Sequence, residues 1–492
     1  MCKLFNKIFI KLKKIKFINL YLIISLNFLL LVCSLSGQSI ARWGLPYIKN
    51  YYPYEYNGYS QNWDIAFDST GILWLANGDG LMSFDGIRWH KYFLPTNDAI
   101  ASIVIDNDRI YVGSKNEFGY FLISNPKTYK YVSLTDKAKN LSFSNNYFLS
   151  AAKTNYGIYL SDKYSVVRLI KDKVDVIFTN VKGDLINFNN SAFFYNPKTG
   201  LYLLSGSKLL YIKGNYPLNS QMFMFLPYAN DTLLIIDATA GIYKGILDID
   251  NISSPTLNIE EIDFPIEKEL LQNSILDAKK TSDSYIFSTY FGGTYVYDLD
   301  FKLQYILNHS SQLISLTHNK IALDPNENIW LAMDYGIAKV NTHNPFTLLS
   351  KVHGLTSSIL DVIFFNNKLI AGGWTNLFVE EIEESTNYFK KTSIDNICWQ
   401  LKKIKFDKDS FVIVASNIGL YALDYKNNII PIDTGNFRTI NVTSSPTYFT
   451  ATTENFFNIY NYKNKKIVKT FSIPLPVGIT FSNINFRKAD SS

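Results

Sequence analysis

One unit recurs along the chain, and it can bury its apolar face only against copies of itself. It is best preserved in QNWDIAFDSTGILWLANGDGLMSFDG, residues 61–86. Trp63, Ile65 and Phe67 alternate with polar or small residues, the period of a half-buried strand. Asp68-Ser69-Thr70-Gly71 has the composition of a turn, with Asp first and Gly last. Ile72 to Ala76 reads as a second strand. Asn77-Gly78-Asp79-Gly80 reads as a hairpin turn, because Asn and Gly tolerate the positive φ that such turns demand. Leu81 to Phe84 gives a third strand and Trp89 to Phe93 a fourth. A single meander of this size exposes its apolar face and is not stable alone.

The copies are present in degraded form. The hairpin between second and third strands is the marker. It recurs as YVGSKNEFGYFL at Tyr111, SAAKTNYGIYL at Ser150, LIIDATAGIYKG at Leu234 and FSTYFGGTYVYD at Phe287. Further copies are WLAMDYGIAKV at Trp330, IAGGWTNLFVE at Ile370, IVASNIGLYALD at Ile413 and FTATTENFFNIY at Phe449. One more is expected between Asn155 and Leu234. About ten copies at roughly 42-residue spacing fall in the range of propeller blades. The fold class is therefore all-β: a β-propeller of four-stranded blades, about seven in a first ring and about three in an incomplete second ring. The expected boundaries are a signal peptide over residues 1–38, a lead-in over 39–61 that wraps the first blade, a first propeller over 62–355, a partial second propeller over 356–475 and a polar tail over 476–492.

The first 38 residues read as an export leader. Six lysines, at 3, 7, 11, 13, 14 and 16, precede an apolar run from Ile18 to Val32 that is short for a membrane span. Removing those six from 48 basic residues leaves 42 against 42 acidic ones, so the mature chain is near neutral. A near-neutral chain offers no electrostatic footprint for nucleic acid, and none is expected as a partner. No membrane span is expected in the mature chain. Cys398 is the one cysteine beyond the leader, which excludes an internal disulfide and reads as a buried, inert thiol.

Catalytic and metal motifs are missing from the sequence. The five histidines, at 90, 309, 318, 343 and 353, have no metal-binding spacing. Asp324 to Asn328 carries oxygen side chains at alternate positions, but Ile329 stands where a calcium loop needs Gly, so the segment reads as a turn. Neither a nucleophile elbow nor a phosphate-cradling Gly loop is present. No cofactor, metal or catalytic residue is expected. The repeat does show which loops share an end: hairpins between second and third strands should ring one mouth of the central channel. On them lie Glu117, Tyr156, Tyr290, Asp334, Tyr335 and Trp374, the candidate ligand-binding residues. Large or charged side chains add little to a turn, whereas loop-borne polar aromatics are common binding groups.

WDIAFDSTGILWLANGDGLMSFDGIRW and ALDPNENIWLAMDYGIAKVNTHNPF resemble the two-component-regulator propeller repeats of Bacteroidetes sensor proteins. The opening resembles the subgroup that carries a triple-tyrosine domain. The resemblance implies an exported, periplasmic or envelope-located sensor: the ligand-binding input region of a signal-transduction protein, recognising a small molecule or glycan. It also implies a triple-tyrosine domain, a membrane helix and an output domain, none of which is found in this sequence. Two other functions compete. A scaffold or adhesion module would show a contiguous exposed apolar patch. A glycoside hydrolase or polysaccharide lyase would bring carboxylates together in the channel. The open edges of a partial second propeller could also pair two copies into a dimer.

Overall fold

The computed structural model describes residues 44–476, apart from 124–129, 140, 142–144, 216–222, 230–231, 239–240, 251–253, 261–267, 384–385, 407–408 and 443–447. The proposed leader and nearly all of the polar tail lie outside these residues. Ten sheets follow one another along the chain, nearly all of them four-stranded antiparallel meanders. Blade 1 consists of Asn62–Phe67, Leu73–Asn77, Gly80–Phe84 and Trp89–Tyr92. Blades 2 to 7 begin at residues 100, 150, 184, 223, 275 and 318, and blades 8 to 10 at 359, 398 and 437. The chain divides into two compact units: Pro46–Leu348 holds seven blades, and the unit that takes up the chain again at Leu349 holds blades 8 to 10.

In the first unit the opening strands of successive blades lie side by side. That of blade 7 (His318–Leu323) lies against that of blade 1, so the ring is closed. The lead-in does more than wrap blade 1. Leu45–Tyr51 runs antiparallel to the third strand of blade 7, with Tyr47 opposite Asn341 and Tyr51 opposite Ile337. The last blade is thus completed by the start of the ring. Tyr51 and Tyr56 are buried in one cluster with Ile65, Leu75 and Met82 of blade 1 and Trp330 of blade 7. Burying a large side chain stabilises a fold by about 1.5–3 kcal/mol, so these two tyrosines are a substantial part of the closure. Sequence patterning misses the strand because Pro46, Pro53 and clustered tyrosines break the alternation. Its partner also lies almost 300 residues away.

The best-preserved motif explains itself in the fold. Asp68 Oδ1 accepts from the Thr70 and Ile72 N–H groups, while Oδ2 accepts from Trp74 Nε1 at 2.8 Å. Asp324 repeats the arrangement with Asn326, Asn328 and Trp330. The Asp-to-Trp spacing of six residues therefore ties a turn to the buried strand that follows it. This is a structural role, in agreement with reading Asp324 to Asn328 as a turn. The blade 1 hairpin is a two-residue connection from Asn77 to Gly80. Gly80 has φ +128°, and a Cβ there would stand 2.6 Å from the Tyr92 carbonyl oxygen.

A second repeated device holds neighbouring blades together. Seven blades have a register shift near the start of the first strand, skipping Trp63, Ala101, Leu276, Asn319, Leu360, Trp399 and Arg438. Such a bulge re-aims the side chain beside it. In blades 1, 6, 8 and 9 the next residue reaches across to the following blade. Asp64 Oδ2 accepts from Ile103 N–H at 2.9 Å and Asp277 Oδ2 from Ile321 N–H at 3.0 Å. Asp361 Oδ2 accepts from Leu401 N–H at 2.7 Å, and Gln400 Oε1 from Ile440 N–H. The inner strand is a sheet edge with unpaired backbone donors, and these side chains satisfy them.

Candidate ligand-binding face

Strand direction alternates within each meander. The second-to-third hairpins, the links between blades and the bulges that open first strands therefore share one end. The other two turns of each blade lie at the opposite end.

At the hairpin end of the seven-bladed unit, blades 6 and 7 present exposed rings. Tyr290 and Phe291 are 45% and 61% exposed and pack edge to face at 4.5 Å. Tyr335 on the blade 7 hairpin is 46% exposed. Backbone bonds fix both loops: Gly293 N–H donates to Leu316 O, Asp334 N–H to Thr317 O, and Gly336 N–H to Ser60 O. Asp334 is engaged internally, accepting from Gln61 Nε2 at 2.8 Å and Asn319 Nδ2 at 3.1 Å. It clasps the lead-in to blade 7. Glu117 opens the third strand of blade 2 and accepts from the Tyr131 hydroxyl at 2.6 Å. Burial, followed by that carboxylate, pushes the Tyr131 phenol up. Of the sequence candidates, Tyr290 and Tyr335 are half-exposed on the hairpins of neighbouring blades, whereas Glu117 and Asp334 serve the frame.

Tyr156 requires a correction. It sits between Ser150–Thr154 and Gly157–Ser161, the first and second strands of blade 3, one turn earlier than its motif suggests. It therefore lies at the end opposite Tyr290. Lys153, three residues before it, pairs at 2.9 Å with Asp106 at the far end of blade 2's first strand. Trp374 does lie on a second-to-third hairpin, that of blade 8 in the three-bladed unit. Its ring is 51% exposed and meets Trp399 edge to face at 5.7 Å.

Sequence reasoning passed over the charges carried by the first strands of the ring. Lys320 Nζ lies 3.2 Å from Asp277 Oδ1, and Lys279 Nζ lies 3.9 Å from Asp277 Oδ2. Burial pushes Asp277 up, but the two lysines and the Ile321 N–H outweigh it and hold the carboxyl below its ordinary range. Asp277 and then Asp64 hold Lys320 charged by raising its pKa. The signal was available: a charged residue two positions into the first strand, directly after the bulge. His318 beside it is buried, with Nε2 donating to Ser315 O at 3.0 Å and Nδ1 accepting from the Thr294 hydroxyl at 2.7 Å. Burial lowers its pKa to about 4, so the imidazole is neutral. Cys398 is a buried free thiol, pushed up to about 12 by burial. Among the described residues no group of three His, Cys, Asp or Glu side chains could hold a metal, and no helix is long and apolar enough to cross a membrane.

Comparison with solved structures adds to this geometry. The extracellular domain of BT3049, a hybrid two-component system protein of B. thetaiotaomicron, matches at TM-score 0.55 and 13% identity, over 87% of this chain and 60% of that one. This chain has the fold of that extracellular domain. It spans about three fifths of the BT3049 domain's length. The extracellular domain of BT4673 from the same organism matches at TM-score 0.45 and 17% identity, over 85% of this chain and 59% of that one. Virginiamycin B lyase of Staphylococcus aureus matches at TM-score 0.45 and 14% identity, over 62% of this chain and 99% of that one. No protein-family model and no curated protein matches the sequence. The BT3049-like fold gives the repeats their context: loops are displayed on a rigid β frame, the usual arrangement for binding residues.

Proposed function

We propose that this chain is the exported, ligand-binding input region of a signal-transduction protein. The observation that carries this reading is the likeness to the BT3049 extracellular domain over 87% of the chain. The basic, apolar leader supports export. The ring offers Tyr290, Phe291 and Tyr335 as a half-open aromatic rim on loops pinned by backbone bonds, which suits a small molecule or a glycan. Binding there would order little that is not already ordered, so little affinity would be lost to loop immobilisation.

The test is a thermal-shift screen of the mature chain against oligosaccharides and small metabolites. A ligand at 100 times its Kd should stabilise the fold by about 2.7 kcal/mol. Tyr290→Ala and Tyr335→Ala should each weaken binding by about 1 kcal/mol or more. A hit that is consumed, with products appearing, would replace the sensor with a propeller enzyme. Recovery of the protein from the cytoplasm with an intact N-terminus would remove the export component.

A further inference from the structure

The three-bladed unit carries an aromatic and charged strip that neither its fold nor the rim on the seven-bladed ring accounts for. It is built from the two devices described above, hairpin tips and first-strand bulges, on three consecutive blades. Trp374 stands on the blade 8 hairpin, where its backbone N–H donates to Ser358 O. Trp399 is the bulged residue of blade 9 and Arg438 that of blade 10. The Arg438 guanidinium lies over the Trp399 ring at 5.6 Å, and Trp374 meets that ring nearly perpendicularly. Glu454, on the blade 10 hairpin, takes Arg438 Nη2 at 2.9 Å and Asn436 Nδ2 at 3.2 Å on one oxygen, Oε1.

Two polar atoms in this strip are covered by protein and have no partner: the Trp399 indole Nε1 and the Asn436 Oδ1. A covered donor or acceptor left unpaired is costly, and such groups in a folded protein call for an explanation. The blade 1 counterpart of Trp399 behaves differently. Trp63 packs edge to face against Tyr147 at 4.9 Å, and its indole nitrogen is not among the covered atoms without a partner. In the three-bladed unit the corresponding indole is flanked by a half-exposed Trp and a half-exposed ion pair.

We propose that this strip is a second binding site, distinct from the rim on the ring, and that its ligand is a neutral polyhydroxylated ring, that is, an uncharged saccharide unit. The open face of Trp374 offers an apolar platform for the C–H face of such a ring. Arg438 is 47% and Glu454 53% exposed, so both keep polar atoms toward solvent. The guanidinium has donors beyond the one Glu454 uses, and Glu454 has an acceptor oxygen beyond the one Arg438 uses. A hydroxyl can accept from the first and donate to the second at once. Because the pair sums to zero charge, a charged ligand gains no net attraction from it, whereas a neutral diol uses both partners. The Trp399 N–H, unpaired in the same strip, is a donor that a ligand hydroxyl would satisfy. The proposal rests on the input-region reading only for the protein's location. The site is defined by its own residues.

The experiment is a tryptophan-fluorescence and calorimetric titration of the full mature chain. The probes are neutral gluco-, manno-, xylo-, galacto- and fructo-oligosaccharides, with oligogalacturonate and a heparin-derived hexasaccharide as charged counterparts. At least one neutral series should quench emission and bind, with no charged counterpart binding better. Trp374→Ala should weaken that binding at least tenfold, Trp374→Phe less, and Glu454→Gln several-fold, while Tyr425→Ala, which removes an exposed ring from the opposite end of blade 9, leaves it unchanged. Each substituted position is exposed or half-exposed, and unchanged melting of each variant shows that folding is intact. Loss of binding in Tyr290→Ala with none in Trp374→Ala would overturn this proposal and leave the rim on the ring as the site. Preference for the charged probes, or binding to none of them, would also overturn it.

Discussion

His318 shows how much of a single residue's role sequence spacing can carry. The spacing of the five histidines excludes a metal site and says nothing about protonation. In the fold, burial sets the imidazole pKa at about 4 against an ordinary 6.5. Between those values the unfolded chain binds a proton that the folded chain does not. The contribution is therefore complete above pH 6.5 and is lost as pH falls toward 4. At about 1.4 kcal/mol per pH unit, the loss from this residue between pH 7 and 4.5 is about 2–3 kcal/mol. Urea unfolding at those two pH values should show His318→Gln with a smaller acid-induced loss than the parent chain, whatever its stability at pH 7. Equal losses would mean that the imidazole protonates freely in the folded state. Cys398 allows a simpler check. A thiol buried to 0% exposure and pushed up to about 12 should resist iodoacetamide in the native protein and react once urea unfolds it. Labelling of the native protein at the unfolded rate would contradict the burial. Glu117 and Asp334 were legible as hairpin residues, but their partners were not. Tyr131 is 14 positions from Glu117 and Gln61 is 273 from Asp334, distances at which local patterning carries no signal.

At the scale of elements, alternation and turn composition revealed ten meanders, because each blade repeats the same local chemistry. They misplaced one turn. Blade 3 has a tight Asn155-Tyr156 turn between its first and second strands, as blades 2, 4 and 8 have at Asn107-Asp108, Asn189-Asn190 and Asn366-Asn367, and its second-to-third turn is Asp162 to Ser165. Two short turns in one blade look alike in sequence, and only the pairing tells first from second. The bulge-and-reach device was equally hidden, because one extra residue in a strand resembles noise in an alternating pattern. Its energetic weight can be tested at Asp277, whose side chain is 7% exposed and serves Lys320 and the Ile321 N–H together. Asp277→Ala leaves a buried backbone donor and an ammonium group without their acceptor. Breaking a buried pair costs about 3–5 kcal/mol, and Lys320, 39% exposed, can recover part of it from water. A loss of about 2–4 kcal/mol is expected from denaturant melts. Asp277→Asn should lose less, because its amide oxygen can still accept from Ile321. If the two substitutions cost the same, the charge pairing and not the backbone bond holds blades 6 and 7 together.

At the scale of the molecule, repeat counting reached a seven-bladed ring but not the means of closing it. A boundary drawn at residue 62 separates the lead-in from the ring, yet Leu45–Tyr51 is a strand of blade 7 and carries Tyr51 into the core between blades 7 and 1. Closure by a strand from the far end of the repeat makes the two chain ends of the ring mutually dependent, since neither terminal blade buries its face without the other. The prediction is a comparison of two pieces. Residues 44–348 should be soluble and melt cooperatively as a β protein. Residues 62–348, which lack the closing strand, the short helix Pro53–Tyr56 and the Ser60 and Gln61 contacts to the blade 7 hairpin, should melt much lower or aggregate. The smaller piece exposes the edge of the third strand of blade 7 and uncovers Trp330, and an unpaired edge beside exposed aromatics is a template for association. Adding a synthetic peptide of residues 44–59 should restore part of the lost melting temperature, in proportion to its concentration. If the shorter piece melts as high as the longer one, the strand lies on a ring already stable without it, and closure resides in the contacts between the first strands alone.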